Sequence, residues 1–219
     1  MEPIVYIILA ILGGFAAIVG LIEYSERKRS KELENEAYSL GFSFEKKPES
    51  QAPPCETPLF KWGFSKKISN FAKGSRNGKE LCFFDYSYFI SAGKSNSTHR
   101  QTIFALPNLG GMPKFSMRQE TIFDKIFYKI GDKLGYKDID FGDDREFSDG
   151  YKLKGDDEAK VRELFSPELR RLILEKERRI CLESDGNSLV YYINFRRVPP
   201  SKLEEELEFV SRLLGMIEK

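Results

Sequence analysis

The sequence predicts an α+β fold, in which an N-terminal transmembrane helix is followed by an antiparallel sheet packed with helices. Three observations predict it: an uncharged apolar run near the N-terminus, aromatic strand-like segments in the middle of the chain, and amphipathic helical segments after them. Because strands occur in hairpins and helices in runs, the sheet should be antiparallel. We assign residues 1–41 to the transmembrane and juxtamembrane helix, 42–59 to a proline-rich loop or linker, and 60–219 to a cytoplasmic α+β domain.

The apolar run covers residues 4–22, which contain no charged side chain. A helix of this length spans about 28 Å, close to the ~30 Å hydrocarbon core of a bilayer. A cleaved signal peptide is the alternative, but it normally has a basic N-terminal region and a shorter apolar core. Glu2 is the only charged side chain before the run. We therefore expect a retained, single-pass transmembrane helix.

Basic residues follow the apolar run and none precedes it. By the positive-inside rule, this asymmetry predicts a cell-membrane protein whose C-terminal domain faces the cytoplasm. Four of these basic residues are candidate contacts to the anionic headgroups of the lipid bilayer: Arg27, Lys28, Arg29 and Lys31. Acidic residues are interleaved with them, so the net attraction to the membrane surface should be modest.

The juxtamembrane part of the helix should continue to Gly41, since glycine is the usual residue just beyond a helix C-terminus. Four prolines between positions 48 and 58 then predict a loop or short linker. Residues 80–90 are rich in aromatic side chains, and with residues 98–106 they predict a hairpin with a long polar tip. Residues 114–117 are a candidate for a further strand.

Helices dominate the prediction for the second half of the chain. Apolar residues recur every four positions from Ile122 to Leu134, which predicts a helix that ends at Gly135. Three further helices are expected to begin at capping residues: Asp156–Glu158, Ser166 with Pro167, and Ser201 with Glu204. Between the last two of these helices, Asp185-Gly186-Asn187 predicts the turn of a second hairpin.

The overall composition narrows the class of protein. Apolar residues make up 41% of the chain and aromatic residues 13%, which is enough to form a core and argues against disorder. With 35 basic and 34 acidic residues, the chain lacks the basic excess of a typical nucleic-acid-binding protein, and no nucleic-acid partner is expected. The three cysteines contain no C-x-x-C pattern, so we expect buried thiols in a reducing compartment and no disulfide framework.

The most acidic stretch, residues 137–158, holds nine carboxylates and is therefore a candidate metal site. The EF-hand spacing fails, because the fifth residue counted from Asp138 is Gly142 and the twelfth is Asp149, not glutamate. We expect these carboxylates to be solvated or to stabilise helix N-termini. No metal site is predicted.

Catalytic motifs are also missing from the sequence. Gly93-Lys94-Ser95 is similar to the end of a phosphate-binding loop, but Tyr88 occupies the position of the first required glycine. His99 is the only histidine, and no G-x-S-x-G accompanies it. We therefore predict no catalytic residue and no cofactor. Three carboxylates remain as a candidate polar site: Asp85, Asp138 and Asp140. Asp85 lies among aromatic residues, where a carboxylate either faces solvent or is buried with a partner.

Several short motifs in order along the chain give a family resemblance: FDYSY, RQT, PKFSMRQE, DIDF and EFSDGYKLKGDDEAKVRELFSPEL. They resemble a bacterial family of membrane-anchored proteins that carry a short N-terminal anchor and a soluble domain of unknown function. The resemblance covers roughly residues 60–195. No functional residue can be carried over from the resemblance, because the family has no assigned activity, substrate or catalytic residue. The resemblance also implies that DIDF is a structural signature of the domain and not a metal-binding loop.

Two functional hypotheses follow from these observations. The first is a membrane-tethered cytoplasmic binding or scaffold module that recognises another protein, since the chain has an anchor and lacks a catalytic motif. The second is an enzyme of unfamiliar type that uses carboxylates such as Asp85, Asp138 or Asp140. An exposed apolar patch would favour the first hypothesis, and a deep polar pocket with convergent groups would favour the second.

Overall fold

The computed structural model describes residues 2–92, 95–119, 135–176 and 180–217. It confirms the predicted α+β class: a long N-terminal helix is followed by an antiparallel sheet that has nine strands within these ranges, together with several helices. The helices are α1 (Glu2–Ser39), α2 (Arg145–Gly150), α3 (Glu158–Leu164), α4 (Pro167–Glu175) and α5 (Leu203–Ile217), with short 3-10 turns at Pro58–Lys61 and Pro200–Lys202.

The strands form one open sheet in the order β1-β2-β3-β4-β9-β8-β5-β7-β6. Their bounds are β1 (Ser43–Glu45), β2 (Phe64–Arg76), β3 (Lys79–Ala92), β4 (Ser95–Leu106), β5 (Lys114–Arg118), β6 (Lys137–Ile139), β7 (Lys152–Gly155), β8 (Ile180–Asp185) and β9 (Leu189–Ile193). The predicted hairpins are confirmed as β3–β4 and β8–β9. The long polar tip predicted for the first hairpin is wrong, because the strand pairing continues as far as Ala92 opposite Ser95. The helix predicted from Ile122 to Leu134 lies outside the described residues.

Capping residues place two of the helices of the C-terminal half as predicted. The capping box predicted at Ser201 with Glu204 is wrong, because Ser201 lies inside the 3-10 turn Pro200–Lys202, whose cap is Pro199 without a side-chain hydrogen bond. The side chain of Ser166 accepts a hydrogen bond from the Leu169 amide, and Pro167 is the first residue of α4. Asp157 caps α3 in the same way, by accepting from the Lys160 amide. The apolar stripe of α5, which includes Leu207 and Val210, is buried against the sheet.

Helix α1 consists of two parts, of which the first is exposed on all sides and the second packs against the domain. From Tyr6 to Tyr24 its large apolar side chains are exposed, and this part is long and apolar enough to cross a membrane. Beyond Tyr24, residues spaced by a helical turn face the domain, and Leu33 and Ala37 are buried there. The helix ends as predicted at Gly41, which has a φ of +81°. The candidate membrane-spanning segment therefore continues without a break into a helix whose buried residues are part of the domain core.

The sheet is covered on both faces. On the first face, the second part of α1 and helices α3, α4 and α5 pack over apolar residues such as Phe83, Phe104 and Tyr191. On the second face, residues 55–62 pack over Phe84, Tyr86 and Tyr192, with Leu59 and Trp62 buried. The segment whose prolines predicted a loop or linker thus lies against the sheet. The three cysteines are buried and free, and desolvation raises the pKa of the Cys82 thiol to about 12.

Candidate functional site

Asp85 of β3 lies at the centre of a polar network between α1 and the sheet. Its side chain is 6% exposed, and it accepts hydrogen bonds from Nε and Nη2 of Arg29, both at 2.8 Å. Asn70 Nδ2 donates to it at 2.9 Å, and Thr102 Oγ1 donates to it at 2.9 Å. Four donors therefore surround one carboxylate, which compensates its removal from water.

Three separate elements supply these donors. Arg29 lies in the second part of α1, Asn70 in β2 and Thr102 in β4, directly opposite Asp85 in the β3–β4 register. Asn70 sits at an irregularity in β2 with a φ of +52°, a conformation that asparagine tolerates well. Ser30 Oγ donates to Asn70 Oδ1 at 2.6 Å, so the amide nitrogen is turned towards Asp85.

Arg29 also joins the segment that precedes α5. Its Nη1 donates to the main-chain oxygen of Val198 at 2.8 Å, and the Val198 amide donates to Thr102 Oγ1 at 2.9 Å. A second ion pair lies beside this network, where Arg197 Nη1 is 2.6 Å from Glu26 Oε2. Breaking a buried ion pair by removing one partner typically costs about 3–5 kcal/mol. The network therefore fixes α1 to the domain.

This arrangement stabilises structure and leaves no base for catalysis at Asp85. Each carboxylate oxygen accepts two hydrogen bonds, so no free lone pair is directed at a substrate. Of the two possibilities open for a carboxylate among aromatic residues, Asp85 is the buried one with a partner. Its partner lies 56 residues away in sequence.

The structure does not bring the three candidate carboxylates together. Asp138 is in β6, at the opposite edge of the sheet from the α1 junction, and its side chain is 66% exposed beside Lys154 at 3.4 Å. Asp140 follows β6 and is exposed. The three carboxylates therefore do not form one site in the described structure, and a functional role for Asp138 or Asp140 separately stays a prediction. Within the described residues, no group of three or more histidine, cysteine, aspartate or glutamate side chains is arranged to hold a metal ion.

The four basic residues after the apolar run also differ in their exposure. The prediction of headgroup contact is wrong for Arg29, because its guanidinium is turned into the protein and its side chain is 12% exposed. Arg27 is exposed and pairs with Glu23 at 3.1 Å. Lys28 and Lys31 are exposed on the outer face of α1. For these three residues, contact with headgroups stays a prediction.

A cavity of about 460 Å³ opens beside the Asp85 network. Its buried residues are Ser30, Asn70, Asp85 and Tyr86, and its exposed wall is mostly basic. Ile22, the last residue of the predicted span, also lines it. The cavity therefore lies where the helix would leave the hydrocarbon core of the bilayer.

Sequence reasoning missed strand β2, which supplies Asn70 to the network and Lys67 to the cavity. The signal for this strand is Asn77-Gly78, which forms the turn between β2 and β3 with φ values of +51° and +76°. Asparagine followed by glycine is the strongest short-range indication of a two-residue hairpin turn, since both central residues need a positive φ.

Comparison with known proteins gives one structural similarity. No protein-family model matches the chain, and no curated protein matches it. The fold is similar to the crystal structure of the mycobacterial trehalose monomycolate transport factor A, TtfA, with a TM-score of 0.59 and 12% sequence identity. The match covers 87% of this chain and 97% of that chain. At this identity the similarity establishes the fold.

Proposed function

We propose that the protein is a membrane-anchored accessory module that binds another protein of the same membrane and does not catalyse a reaction. In this proposal the chain crosses the cell membrane once and its α+β domain faces the cytoplasm. The similarity to a protein described as a transport factor favours a part in a transport process at the membrane. Membership in the bacterial anchored family is part of the same proposal.

The observation that carries this proposal is the junction between α1 and the sheet. Arg29 and Asp85 lock the continuation of the transmembrane helix to the domain, and Glu26 with Arg197 adds a second ion pair. A flexible linker would be sufficient to keep a soluble domain near the membrane. A helix fixed at several points also sets the height and orientation of the domain, which matters when the partner lies in the same bilayer.

The distribution of exposed apolar side chains supports a partner at the membrane. Beyond Tyr24, the large apolar side chains exposed in the described part of the chain are Tyr38 and Phe64. These two residues do not make the extended apolar patch that marks many protein-binding faces. The apolar part of α1 and the charged surfaces near it are therefore the better candidates for contact with a partner.

The test is affinity purification of the full-length protein from its native membranes in mild detergent, followed by mass spectrometry. A variant with an eight-residue Gly/Ser insertion between Tyr24 and Ser25 keeps the anchor and the domain but uncouples them. The matched control carries the same insertion between Asn77 and Gly78, at the turn near the far end of α1, where Arg76 lies over the Phe42 ring.

We expect a stoichiometric membrane-protein partner with the wild type and with the control insertion, and a weakened complex with the insertion after Tyr24. A partner that is retained equally by all three proteins would contradict the importance of the fixed orientation. A preparation without any partner would contradict the proposed function as a whole.

A further inference from the structure

The cavity beside the Asp85 network has a strongly basic lining. Nine charged residues line it. Six of them are basic: Arg27, Lys46, Lys47, Lys67, Arg100 and Arg197. The other three are acidic: Glu23, Glu26 and Asp85. Charge of one sign in a concave site concentrates the electric field and raises the local concentration of ions of the opposite sign. The lining is therefore suited to an anion.

The acidic residues of the lining are already engaged by arginines. Glu23 is 3.1 Å from Arg27, Glu26 is 2.6 Å from Arg197, and Asp85 is 2.8 Å from Arg29. Four basic residues of the lining have no carboxylate within 4 Å in the part of the chain that the structure describes: Lys46, Lys47, Lys67 and Arg100. The pKa of the Glu26 carboxyl is lowered chiefly by its hydrogen bond with Arg197, and the nearby positive charge of Arg100 lowers it further. Glu26 is therefore already hydrogen-bonded to Arg197 and does not pair with Arg100. An anion entering the cavity would therefore meet uncompensated positive charge.

Polar groups that can bind a phosphate accompany the cations. Ser69, Ser87 and Thr98 also line the cavity, and their hydroxyl groups can donate to phosphate oxygens. Arginine binds phosphate through two parallel N–H donors, and lysine supplies a point charge. A volume of about 460 Å³ is in the usual range for small-molecule sites.

The position of the cavity indicates the source of the phosphate. Ile22 and Glu23 line it, and Ile22 is the last residue of the predicted span. The lipid phosphate groups lie immediately outside the hydrocarbon core, so they would lie at the height of this cavity. A soluble anion would also need to compete with the headgroups for it.

We propose that this cavity binds the phosphate group of an anionic membrane lipid, with Lys46, Lys47, Lys67 and Arg100 as its cationic contacts. The proposal rests on the membrane anchorage that is part of the proposed function. It differs from diffuse attraction of a basic surface to a membrane, because the side chains converge on one cavity from α1, β2, β3, β4 and the segment after β1. One lipid should therefore bind at a saturable site.

The experiment uses the full-length protein in neutral detergent. Dioctanoyl phosphatidylglycerol, dioctanoyl phosphatidylcholine and inorganic phosphate are titrated separately, and native mass spectrometry gives the stoichiometry of binding. The test variant is the double substitution Lys67→Gln with Arg100→Gln. The matched control is Lys28→Gln with Lys31→Gln, which removes the same charge from the exposed face of α1 outside the cavity. All four side chains are exposed, so neither variant should unfold the domain.

We expect one phosphatidylglycerol per protein, with much weaker binding of phosphatidylcholine and of inorganic phosphate. The cavity variant should lose affinity by at least about tenfold, since two charge-assisted contacts are removed. The control variant should lose about twofold or less, since it removes only screened surface charge.

Equal loss of affinity in both variants would overturn the proposal in favour of diffuse surface attraction, and so would the absence of saturable binding. Inorganic phosphate that displaces the lipid at equal concentration would overturn the assignment to a lipid and point to a soluble phosphate ester. Capture of a partner without lipid binding would overturn this inference alone. Lipid binding without capture of a partner would overturn only the proposed function.

Discussion

Each face of the sheet has one buried carboxylate that pairs with an arginine and also links the sheet to the segment covering it. The two carboxylates, Asp85 and Glu183, differ in where their hydrogen-bond donors come from. On the first face Asp85 binds Arg29, which belongs to the covering helix α1. On the second face Glu183 accepts from the Leu59 amide at 2.8 Å, from the Tyr192 hydroxyl at 2.8 Å and from Arg118, a residue of the sheet itself.

The two carboxylates therefore have different structural roles, although both are buried and paired with an arginine. Glu183 is fully buried and lies among groups of the sheet and one main-chain amide of the covering loop, so it supports the core. Asp85 borders a cavity, and three of its four hydrogen bonds come from side chains of α1 and β2. Disruption at Glu183 should destabilise the whole domain, whereas disruption at Asp85 should chiefly release helix α1 from the sheet.

The largest effect is expected from Glu183→Gln. The substitution removes the charge of Glu183 from the buried pair with Arg118, and the free energy of unfolding should fall by about 3–5 kcal/mol. Urea unfolding of the full-length protein in neutral detergent measures it. Glu163→Gln, at an exposed position of α3, is the control and should change stability by less than about 0.5 kcal/mol. Equal stability of the two variants would contradict the role assigned to Glu183.

A smaller but more local effect is expected from Asp85→Asn. Loss of charge-assisted hydrogen bonds should cost about 1.5–3 kcal/mol, because the pair borders a cavity that water can enter. Released from the sheet, α1 should be cut by trypsin at Arg27 to Lys31 faster than in the wild type.

Arg29→Gln should increase cleavage at the other basic residues of this segment. The loss of unfolding free energy in the double variant should be smaller than the sum of the losses in the two single variants. Cleavage rates equal to the wild type would refute the locking role of this pair.

Tyr192→Phe tests a single hydrogen bond to Glu183 on the second face of the sheet. The substitution removes one neutral donor from Glu183 and leaves the buried ring in place. The free energy of unfolding should decrease by about 1 kcal/mol, and trypsin cleavage of α1 should stay at the wild-type rate. Faster cleavage of α1 in this variant would show that the two faces are coupled more strongly than their separate hydrogen-bond networks indicate.

The smallest effect is expected at the pair formed by Asp144, which is partly exposed, and the buried Arg170. Arg170 donates to Asp144 at 2.8 Å, and this hydrogen bond together with one from the Phe147 amide lowers the pKa of the Asp144 carboxyl. A lowered pKa stabilises the fold above the ordinary carboxyl value, about 3.9, and this contribution disappears as the pH falls through the lowered pKa.

Asp144→Asn should therefore cost less than about 1 kcal/mol at pH 7, because asparagine is also a good N-cap residue and Arg170 keeps its hydrogen bond to Asp143. The difference from the wild type should vanish in acid. Thermal unfolding at a series of pH values measures it. A difference that grows as the pH falls would contradict the direction of the shift.

Local rules were sufficient for much of the fold. The span, the end of α1 at Gly41, the caps at Asp157 and Ser166 and the β8–β9 turn are each determined by neighbouring residues, and the structure contains all of them. Strands β6 and β7 were missed because they are short and lie within the acidic stretch, where carboxylates and lysines hide the strand pattern.

The candidate site could be predicted only in part. The aromatic surroundings of Asp85 indicated that its carboxylate was unusual, but Arg29 and Thr102 become its partners through long-range packing. The run of basic residues after the span gave no sign that Arg29 points inwards, because this depends on which face of α1 meets the sheet. Lys67 of β2 and Arg100 of β4 likewise come together at the cavity only through the pairing of distant strands, which the local sequence does not show.

The central claim is that α1 forms one continuous helix that is fixed to the domain by Arg29 and Asp85. Hydrogen–deuterium exchange of the full-length protein in phosphatidylcholine nanodiscs tests it most directly, with wild type and Asp85→Asn compared. We predict slow exchange from the span through residues 26–39 in the wild type and markedly faster exchange of residues 26–39 in the variant. Fast exchange of residues 26–39 in the wild type would contradict the claim.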